Sequence, residues 1–260
     1  MMQLYPFMLY PGVVIGDPRL PEDQWSLLTP EGVHCEGRVL SRTGYVAQWT
    51  AGPGGAVCYE ALNHDGEAPR AVNYRFSLVP GEDFVDLELA ITNLDTQAWR
   101  GVMADICLMN VRAPHFYDED YGRTFVLTQA GLSRVSDLMA APLRPFFRRS
   151  GASEGSLHFY RDAGGFWTPS EAEVAGNVVM TQSVDGKWTT AFGWRDICMI
   201  ACNCDTAHGC VHSNPCVGDI LSGRRATAAG RIYVARQTPE ELAARFATDM
   251  AQPRSTDPGE

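Results

Sequence analysis

Two segments of the sequence carry side chains suited to proton transfer. Residues 115–123 read HFYDEDYGR and place an imidazole, three carboxylates, two phenols and a guanidinium in nine consecutive positions. Acid–base catalysis needs an acid and a base on opposite sides of the reacting bond, and a loop at a strand end can present both. The residues predicted for such a site are His115, Asp118 and Glu119 as catalytic groups, with Tyr117, Asp120, Tyr121 and Arg123 as substrate contacts.

The second segment, 201–216, is rich in cysteine and contains His212 directly before Ser213-Asn214-Pro215. Because proline restricts the backbone, the sequence predicts a rigid turn here, with His212 in a loop where strands end. An imidazole held in this way suits a general acid or a hydroxyl ligand, and His212 is therefore predicted to be catalytic. A histidine that only locks the loop through a backbone carbonyl fits the same pattern equally well.

Metal binding is an alternative for both segments. Thiolate and imidazole are the ligands that zinc prefers, and the second segment offers Cys202, Cys204, Cys210, Cys216, His208 and His212. Only Cys202 and Cys204 are closely spaced, whereas structural zinc sites commonly use two close pairs, so free thiols or a disulfide are favoured. The acids of residues 118–120 could hold Ca²⁺. The sequence therefore predicts no cofactor, and Ca²⁺ and Zn²⁺ stay open as alternatives.

Two further residues are predicted to contact a substrate. His158 lies in the run SLHFYRD, where strand alternation would place it on the same face as Tyr160. Trp194 is one of four tryptophans, with Trp49, Trp167 and Trp188, that could offer a ring for stacking, although most of them are expected in the core.

The two segments lie among predicted strands. These strands are short runs of alternating apolar and polar residues, and residues typical of turns separate them. The run FVDLELAIT alternates Val85, Leu87, Leu89 and Ile91 with polar residues, and Pro80-Gly81-Glu82-Asp83 before it predicts a hairpin. Thr238-Pro239-Glu240-Glu241 is a helix capping box, which predicts a helix at about 239–250 docked by Leu242, Phe246 and Met250. The sequence predicts an all-β fold, a large antiparallel β-sandwich over residues 1–250 with one C-terminal α-helix, and a disordered tail at 251–260.

Composition narrows the classes of partner. The 260 residues carry a net charge of −10, which argues against nucleic acid and anionic lipid as partners. No segment approaches the ~20 continuous apolar residues of a membrane helix. The apolar start has no basic region and is interrupted by Pro6 and Pro11, so no clear signal peptide is predicted and a cytoplasmic location is slightly favoured. Long sheet edges would need covering loops or a homo-oligomer to protect them.

Five pieces of the chain, taken in order, carry a family resemblance: PGEDFVDLELAITNLDTQ, HFYDEDYGRTFVLTQAGL, DGKWTTAFGW, CVHSNPCVGDILSG and GRIYVARQTPEELAARF. Together they resemble a largely uncharacterised bacterial group of galactose-mutarotase-like supersandwich proteins, often found near carbohydrate-degrading genes. The resemblance covers roughly residues 45–250. It implies a supersandwich fold and a saccharide as partner, and that superfold hosts epimerases, lyases and non-catalytic sugar-binding modules.

The expected function is acid–base chemistry on a saccharide bound to one sheet face. Epimerisation at the anomeric carbon and β-elimination from a uronic sugar are the reactions that the residue types favour. A non-catalytic carbohydrate-binding or assembly module is the alternative. No serine-hydrolase elbow, Walker loop or dinucleotide fingerprint occurs in the sequence, which disfavours those enzyme classes.

Overall fold

A computed structural model of the protein describes residues 1–7, 12–36, 38–42, 49–62, 72–152, 160 and 165–252. These residues form two sheets of nine strands each, almost wholly antiparallel. The first sheet, sheet A, has the order β1-β2-β3-β9-β17-β16-β12-β13, and β4 pairs with β3. Its strands are β1 (Gln3–Pro6), β2 (Gly12–Asp17), β3 (Leu20–Cys35), β4 (Arg38–Arg42), β9 (Trp99–Met109), β12 (Pro145–Arg148), β13 (Thr168–Pro169), β16 (Ile197–Asn203) and β17 (Cys210–Ile220).

The second sheet, sheet B, has the order β11-β10-β14-β15-β18-β8-β7-β6-β5. Its strands are β5 (Trp49–Ala51), β6 (Val57–Leu62), β7 (Val72–Pro80), β8 (Phe84–Asn93), β10 (Thr124–Thr128), β11 (Gly131–Arg134), β14 (Val174–Gln182), β15 (Thr189–Trp194) and β18 (Arg225–Ala235). The predicted hairpin at residues 80–83 joins β7 to β8. A 3₁₀ turn (Pro53–Gly55) and a one-turn helix, α1 (Val135–Leu138), lie in connections.

One large hydrophobic core lies between the sheets. It contains residues of both, including the predicted inward face of β8, and its largest fully buried members include Trp25, Trp99, Trp194, Phe76 and Phe192. Each such side chain contributes on the order of 1.5–3 kcal/mol when it is buried. The predicted all-β sandwich is confirmed.

The C-terminal helix, α2 (Pro239–Ala251), covers the other face of sheet B. Its predicted capping box is present, since Thr238 Oγ1 accepts from Glu241 N–H and the Glu241 carboxylate accepts from Thr238 N–H. The predicted stripe is buried against Val178, Met180, Ala191 and Tyr233. Gly193 permits this close approach, because a Cβ there would lie 2.6 Å from the Phe246 ring. The helix is too short to cross a membrane, and no other helix of the described residues could do so.

The region around His212 differs from the sequence prediction. Residues 212–215 form no turn but lie inside the eleven-residue strand β17, between β9 and β16. Proline cannot donate to a strand ladder, and β16 accommodates Pro215 with an irregularity between Ile197 and Met199. Asn214 Oδ1 accepts from Ile106 N–H at 3.0 Å and takes the place of a strand carbonyl. His212 is therefore fixed on a central strand and not on a loop.

Candidate functional site

The outer face of sheet A, opposite the inter-sheet core, carries buried polar side chains. Side chains alternate between the two faces of a strand. Ile106 of β9 and Val211 of β17 therefore point into the core, and the residues next to each of them in its strand point to the outer face. Asp105, His212 and Asn214 are all buried there. The cover comes from the connection between β12 and β13, which contributes Tyr160 and Trp167.

Four of these side chains form a hydrogen-bonded network. His212 Nδ1 lies 2.9 Å from Asp105 Oδ1, and the Tyr160 hydroxyl donates to the same oxygen at 2.6 Å. Asn214 Nδ2 donates to the Tyr160 hydroxyl at 2.9 Å. Burying such polar groups is costly unless they are paired, so the network both satisfies them and fixes the imidazole orientation.

The His212 cluster consists of the four networked residues Asp105, Tyr160, His212 and Asn214 together with Glu31. Glu31 is the more exposed of its two carboxylates. It lies in an irregular part of β3, where the register with β9 shifts between Leu28 and Gly32. Bulges of this kind re-aim side chains, and here Glu31 Oε2 lies 3.9 Å from His212 Nδ1. The Glu31 side chain is 28% exposed, against 6% for His212. A ligand arriving from solvent would therefore meet Glu31 before the imidazole.

Burial and neighbouring charges together shift the pKa values of Asp105, His212 and Glu31. Burial alone would raise the pKa of Asp105, but the charge and hydrogen bond of His212 outweigh it and hold that pKa below its usual value. Burial likewise opposes the charge on His212, and the negative charges of Cys210 and Asp105 outweigh it and raise the pKa of His212. Burial raises the pKa of Glu31 to about 7, against the opposing charge of His212. The His212 imidazole and the Glu31 carboxylate therefore both bind a proton more tightly than usual.

Two thiols lie on the other side of the imidazole. Cys210 Sγ is 3.4 Å from His212 Nε2, and the Cys107, Cys210 and His212 ligand atoms all lie within 4.8 Å of one another. A hydrogen bond from Cys107 lowers the pKa of Cys210 to about 5, with the charge of His212 acting in the same direction against burial. All eight cysteines are free thiols, so the disulfide considered for the 202–216 segment is absent.

Aromatic rings border the cluster. The Trp167 and His212 ring centroids are 5.2 Å apart in an edge-to-face arrangement, and Trp167 also packs against Tyr160 and Phe166. Trp167 is partly exposed, and Phe166 is largely exposed. Rings of this kind can stack on the apolar face of a pyranose.

The predicted loop 115–123 is held by contacts of its own. His115 Nδ1 lies 2.8 Å from Asp23 Oδ2, and this carboxylate raises the pKa of His115. The buried Asp118 accepts from Arg123 N–H and from Thr124 Oγ1. Asp120 accepts from Gly122 N–H within the same loop. The three side chains thus have partners that are separate from the His212 cluster.

Three other loop residues, Tyr117, Tyr121 and Arg123, bind the loop to neighbouring parts of both sheets. Arg123 donates to the Gln182 carbonyl of β14 in sheet B, and also to carbonyls of His115 and Tyr117. The Tyr117 hydroxyl donates to the Cys204 carbonyl, directly after β16 of sheet A, and the Tyr121 hydroxyl accepts from Cys204 N–H and donates to the Leu143 carbonyl at 2.8 Å. Tyr121 is 2% exposed, whereas Glu119 is exposed. Among the described residues, no hydrogen bond or ion pair joins His115 or Glu119 to His212.

The two other predicted contacts are not part of this cluster as described. Trp194 is completely buried in the inter-sheet core, where its Nε1 donates to the Ser213 carbonyl at 2.9 Å, which leaves no ring face for a ligand. His158 lies outside the described residues, as does most of the strand predicted over 156–162. Tyr160, the described residue of that run, has a helical backbone.

Sequence reasoning missed several residues of the cluster. Asp105 carries a usable signal, because a single acid within the apolar run GVMADICLMNV is expensive to bury unless it is paired. For Trp167 the sequence predicts no more than for three other tryptophans, namely a ring that could stack. Glu31 carries no such signal, because its direction depends on an irregularity of β3 that the sequence pattern does not show.

No protein-family model matches the chain, and no curated protein matches it. Solved structures with a similar fold do match. A galactose mutarotase related enzyme from Lactobacillus acidophilus aligns over 92% of this chain and 99% of its own, with 9% identity and a TM-score of 0.49. Galactose mutarotase-like proteins from Lactobacillus casei ATCC 334 and Clostridium acetobutylicum align over 90% and 91% of this chain and 100% and 99% of their own, with 8% and 6% identity and TM-scores of 0.47 and 0.46. The activity in each name is a statement about that protein.

Proposed function

We propose that the protein binds a saccharide on the outer face of sheet A and transforms it by proton transfer, with Glu31 as the group that exchanges the proton. The observation that carries this proposal is the position of Glu31, a partly exposed carboxylate 3.9 Å from a buried imidazole. His212 and Asp105 are too deeply buried to reach a substrate hydroxyl first. They act as positioning residues, which fix Glu31 in a preorganised electrostatic environment.

The borders of the cluster favour a saccharide among small substrates. Trp167 is a partly exposed aromatic ring, which suits the C–H face of a pyranose, whereas the exposed Phe166 has the Arg144 guanidinium over its ring at 4.2 Å. A carboxylate beside them suits the hydroxyl groups, since it accepts hydrogen bonds from O–H donors. The same small region therefore offers a ring that can stack on a sugar and a carboxylate that can accept hydrogen bonds from its hydroxyl groups.

A neutral aldose is favoured over a uronic sugar. The carboxylate of a uronic sugar would meet the partly exposed Glu31, and two ionised carboxylates would repel each other. Epimerisation at the anomeric carbon is therefore the favoured reaction. In it, Glu31 removes the proton of the anomeric hydroxyl while a water molecule protonates the ring oxygen, and the bond between the anomeric carbon and the ring oxygen breaks to give the open-chain aldehyde. After rotation of the aldehyde, the ring oxygen returns its proton to water as it adds to the opposite face of the anomeric carbon, and Glu31 gives its proton back to the anomeric oxygen.

Glu31→Gln tests the proposal, because it keeps the size of the side chain and removes the base. We expect anomer interconversion of free aldoses, followed by polarimetry, to fall by at least ~100-fold, with affinity kept within a few-fold. Glu119→Gln is the matched control, since Glu119 is an exposed carboxylate of the 115–123 loop, and it should keep full turnover. Loss of turnover in Glu119→Gln alone would move the reaction to the loop. Saccharide binding without turnover by the unmodified protein would replace the enzyme by a binding module, and absence of binding would overturn both.

A further inference from the structure

We propose that Cys107, Cys210 and His212 Nε2 form a zinc site on the outer face of sheet A. This goes beyond the proposed function and does not depend on it. Cys107 lies on β9 directly opposite His212 on β17, and Cys210 precedes His212 by two positions on the same face. All three ligands therefore stand on the central strands of the sheet, where their positions are well defined.

The separations fit one tetrahedral ion. With Zn–S near 2.3 Å and Zn–N near 2.0 Å, a sulfur and a nitrogen bound to the same zinc lie about 3.5 Å apart, and two sulfurs about 3.8 Å apart. Cys210 Sγ and His212 Nε2 are 3.4 Å apart, and all three ligand atoms lie within 4.8 Å of one another. A small movement of side chains is enough to place an ion between them.

Asp105 supplies the outer support that metal-binding histidines normally have. A histidine ligand usually donates its other ring N–H to a carboxylate, which fixes the tautomer and orients the ring. Here His212 Nδ1 faces Asp105 Oδ1 at 2.9 Å, and Nε2 is turned toward Cys210. The Tyr160 hydroxyl also donates to Asp105 Oδ1 and holds that carboxylate in place.

A second group of possible ligands shares the imidazole but fits less well. Glu31, Asp105 and His212 also place ligand atoms within 4.8 Å of one another. An ion there would use Nδ1 and would displace the hydrogen bond that Asp105 accepts from it. Thiolate and imidazole are the softer ligands and suit zinc, whereas a set with two carboxylates suits harder ions. The thiol side is therefore the zinc side.

Binding would exchange protons for metal. Cys107 would release its thiol proton and His212 its Nε2 proton to solvent, so that the two cysteines bind as thiolates and His212 binds as neutral imidazole through Nε2. Three protein ligands leave a fourth position for water or a ligand oxygen, which is the arrangement of zinc sites that bind substrates.

The test measures metal directly, without saccharide. Protein purified after growth in zinc-supplemented medium should contain about one zinc ion per chain by elemental analysis. Cobalt-substituted protein should show sulfur-to-cobalt charge-transfer absorption and the intense visible bands of tetrahedral Co²⁺. Cys107→Ser and Cys210→Ser should each lose most of the zinc. Cys216→Ser is the matched control, a cysteine of the same strand outside the set, and it should retain zinc.

Several results would overturn the site. One is unmodified protein with neither stoichiometric zinc nor cobalt–thiolate absorption, a measurement that needs no variant to fold. Another is equal zinc loss in Cys216→Ser and Cys210→Ser. A third is loss of zinc in Glu31→Gln together with retention in Cys210→Ser, which would assign the ion to the carboxylate side. Because Glu31→Gln is expected to keep its zinc while losing turnover, failure of the proposed function and failure of the zinc site give different results.

Discussion

The imidazole of His212 faces the carboxylate of Asp105 across 2.9 Å, from one central strand of sheet A to the next. Both side chains are buried on a sheet face that a simple two-layer sandwich would leave to solvent. Removing two charged groups from water raises the free energy of the folded protein. The hydrogen bond that the Tyr160 hydroxyl donates to the Asp105 carboxylate offsets part of that increase. This relationship makes the outer face of sheet A the chemically distinctive surface of the described protein.

Removal of Asp105 should destabilise the protein strongly. Asp105→Ala leaves the buried imidazole and the Tyr160 hydroxyl without their acceptor, and breaking a buried pair in this way costs about 3–5 kcal/mol. Urea unfolding in metal-free buffer at neutral pH measures the change. Glu119→Ala, an exposed carboxylate, is the control and should change stability by less than about 0.5 kcal/mol. A loss below about 1 kcal/mol for Asp105→Ala would show that the pair is not buried as described.

Trp167 should matter for saccharide affinity more than for the fold. It is partly exposed and borders the cluster through its 5.2 Å contact with His212. Loss of stacking in Trp167→Ala should weaken binding by about tenfold, since about 1.4 kcal/mol corresponds to a factor of ten. Calorimetric titration with the saccharide that the unmodified protein binds measures this. Tyr5→Ala removes an exposed aromatic ring outside the cluster and should leave affinity unchanged, so an equal loss in both variants would contradict a stacking role for Trp167.

The sandwich was predictable because local and long-range preferences agree there. Val85, Leu87, Leu89 and Ile91 alternate regularly, the turn residues before them are typical of a hairpin, and both features lead to the same buried face. The C-terminal helix was predictable for the same reason, since its capping box and apolar stripe coincide. In these elements the position of each side chain follows from a period of the sequence.

The candidate site was less predictable because tertiary contacts override local signals. Ser213-Asn214-Pro215 is typical of a turn, yet it forms the middle of β17, where an irregularity of β16 and the Asn214 amide compensate for the missing ladder bonds. The 115–123 loop has the residue types of a catalytic site, but Arg123 is bound to β14 and Tyr117 to the segment after β16, while Asp118 and Asp120 hold the loop itself. Residue types indicate possible chemistry, and only the register of distant strands shows which of them meet.

The ion pair between Arg245 of α2 and Asp83 of the β7–β8 turn should make stability depend on acid. Both Arg245 guanidinium NH groups donate to the two Asp83 oxygens, at 2.7 and 2.9 Å, and this hydrogen bonding lowers the pKa of Asp83. A carboxylate whose pKa is lower in the folded state contributes its full stability above the unfolded value of about 3.9 and loses it as the pH falls through the folded value.

Asp83→Asn should therefore be less stable than the unmodified protein at pH 7, by about 1 kcal/mol, and the difference should shrink as the pH falls below about 4. Urea unfolding at a series of pH values measures it. Glu82→Gln, at the exposed neighbouring position, should show a smaller and less pH-dependent difference. A difference for Asp83→Asn that grows toward low pH would contradict the assigned direction.

Thr238 should determine how firmly α2 is held on sheet B. Its Oγ1 accepts from Glu241 N–H at 3.2 Å, and it starts the helix whose residues Leu242, Phe246 and Met250 cover the sheet. Thr238→Ala leaves that N–H without its acceptor and should cost about 1 kcal/mol in the free energy of unfolding.

Thr248→Ala is the matched control, because this threonine lies inside the same helix, is exposed and donates to the Ala244 carbonyl. Since Ala favours helix interiors, Thr248→Ala should be neutral or slightly stabilising in thermal and urea unfolding. Equal losses in the two variants would contradict the capping role, whereas a loss confined to Thr238→Ala, with earlier hydrogen exchange across residues 239–251, would locate the effect at the start of the helix.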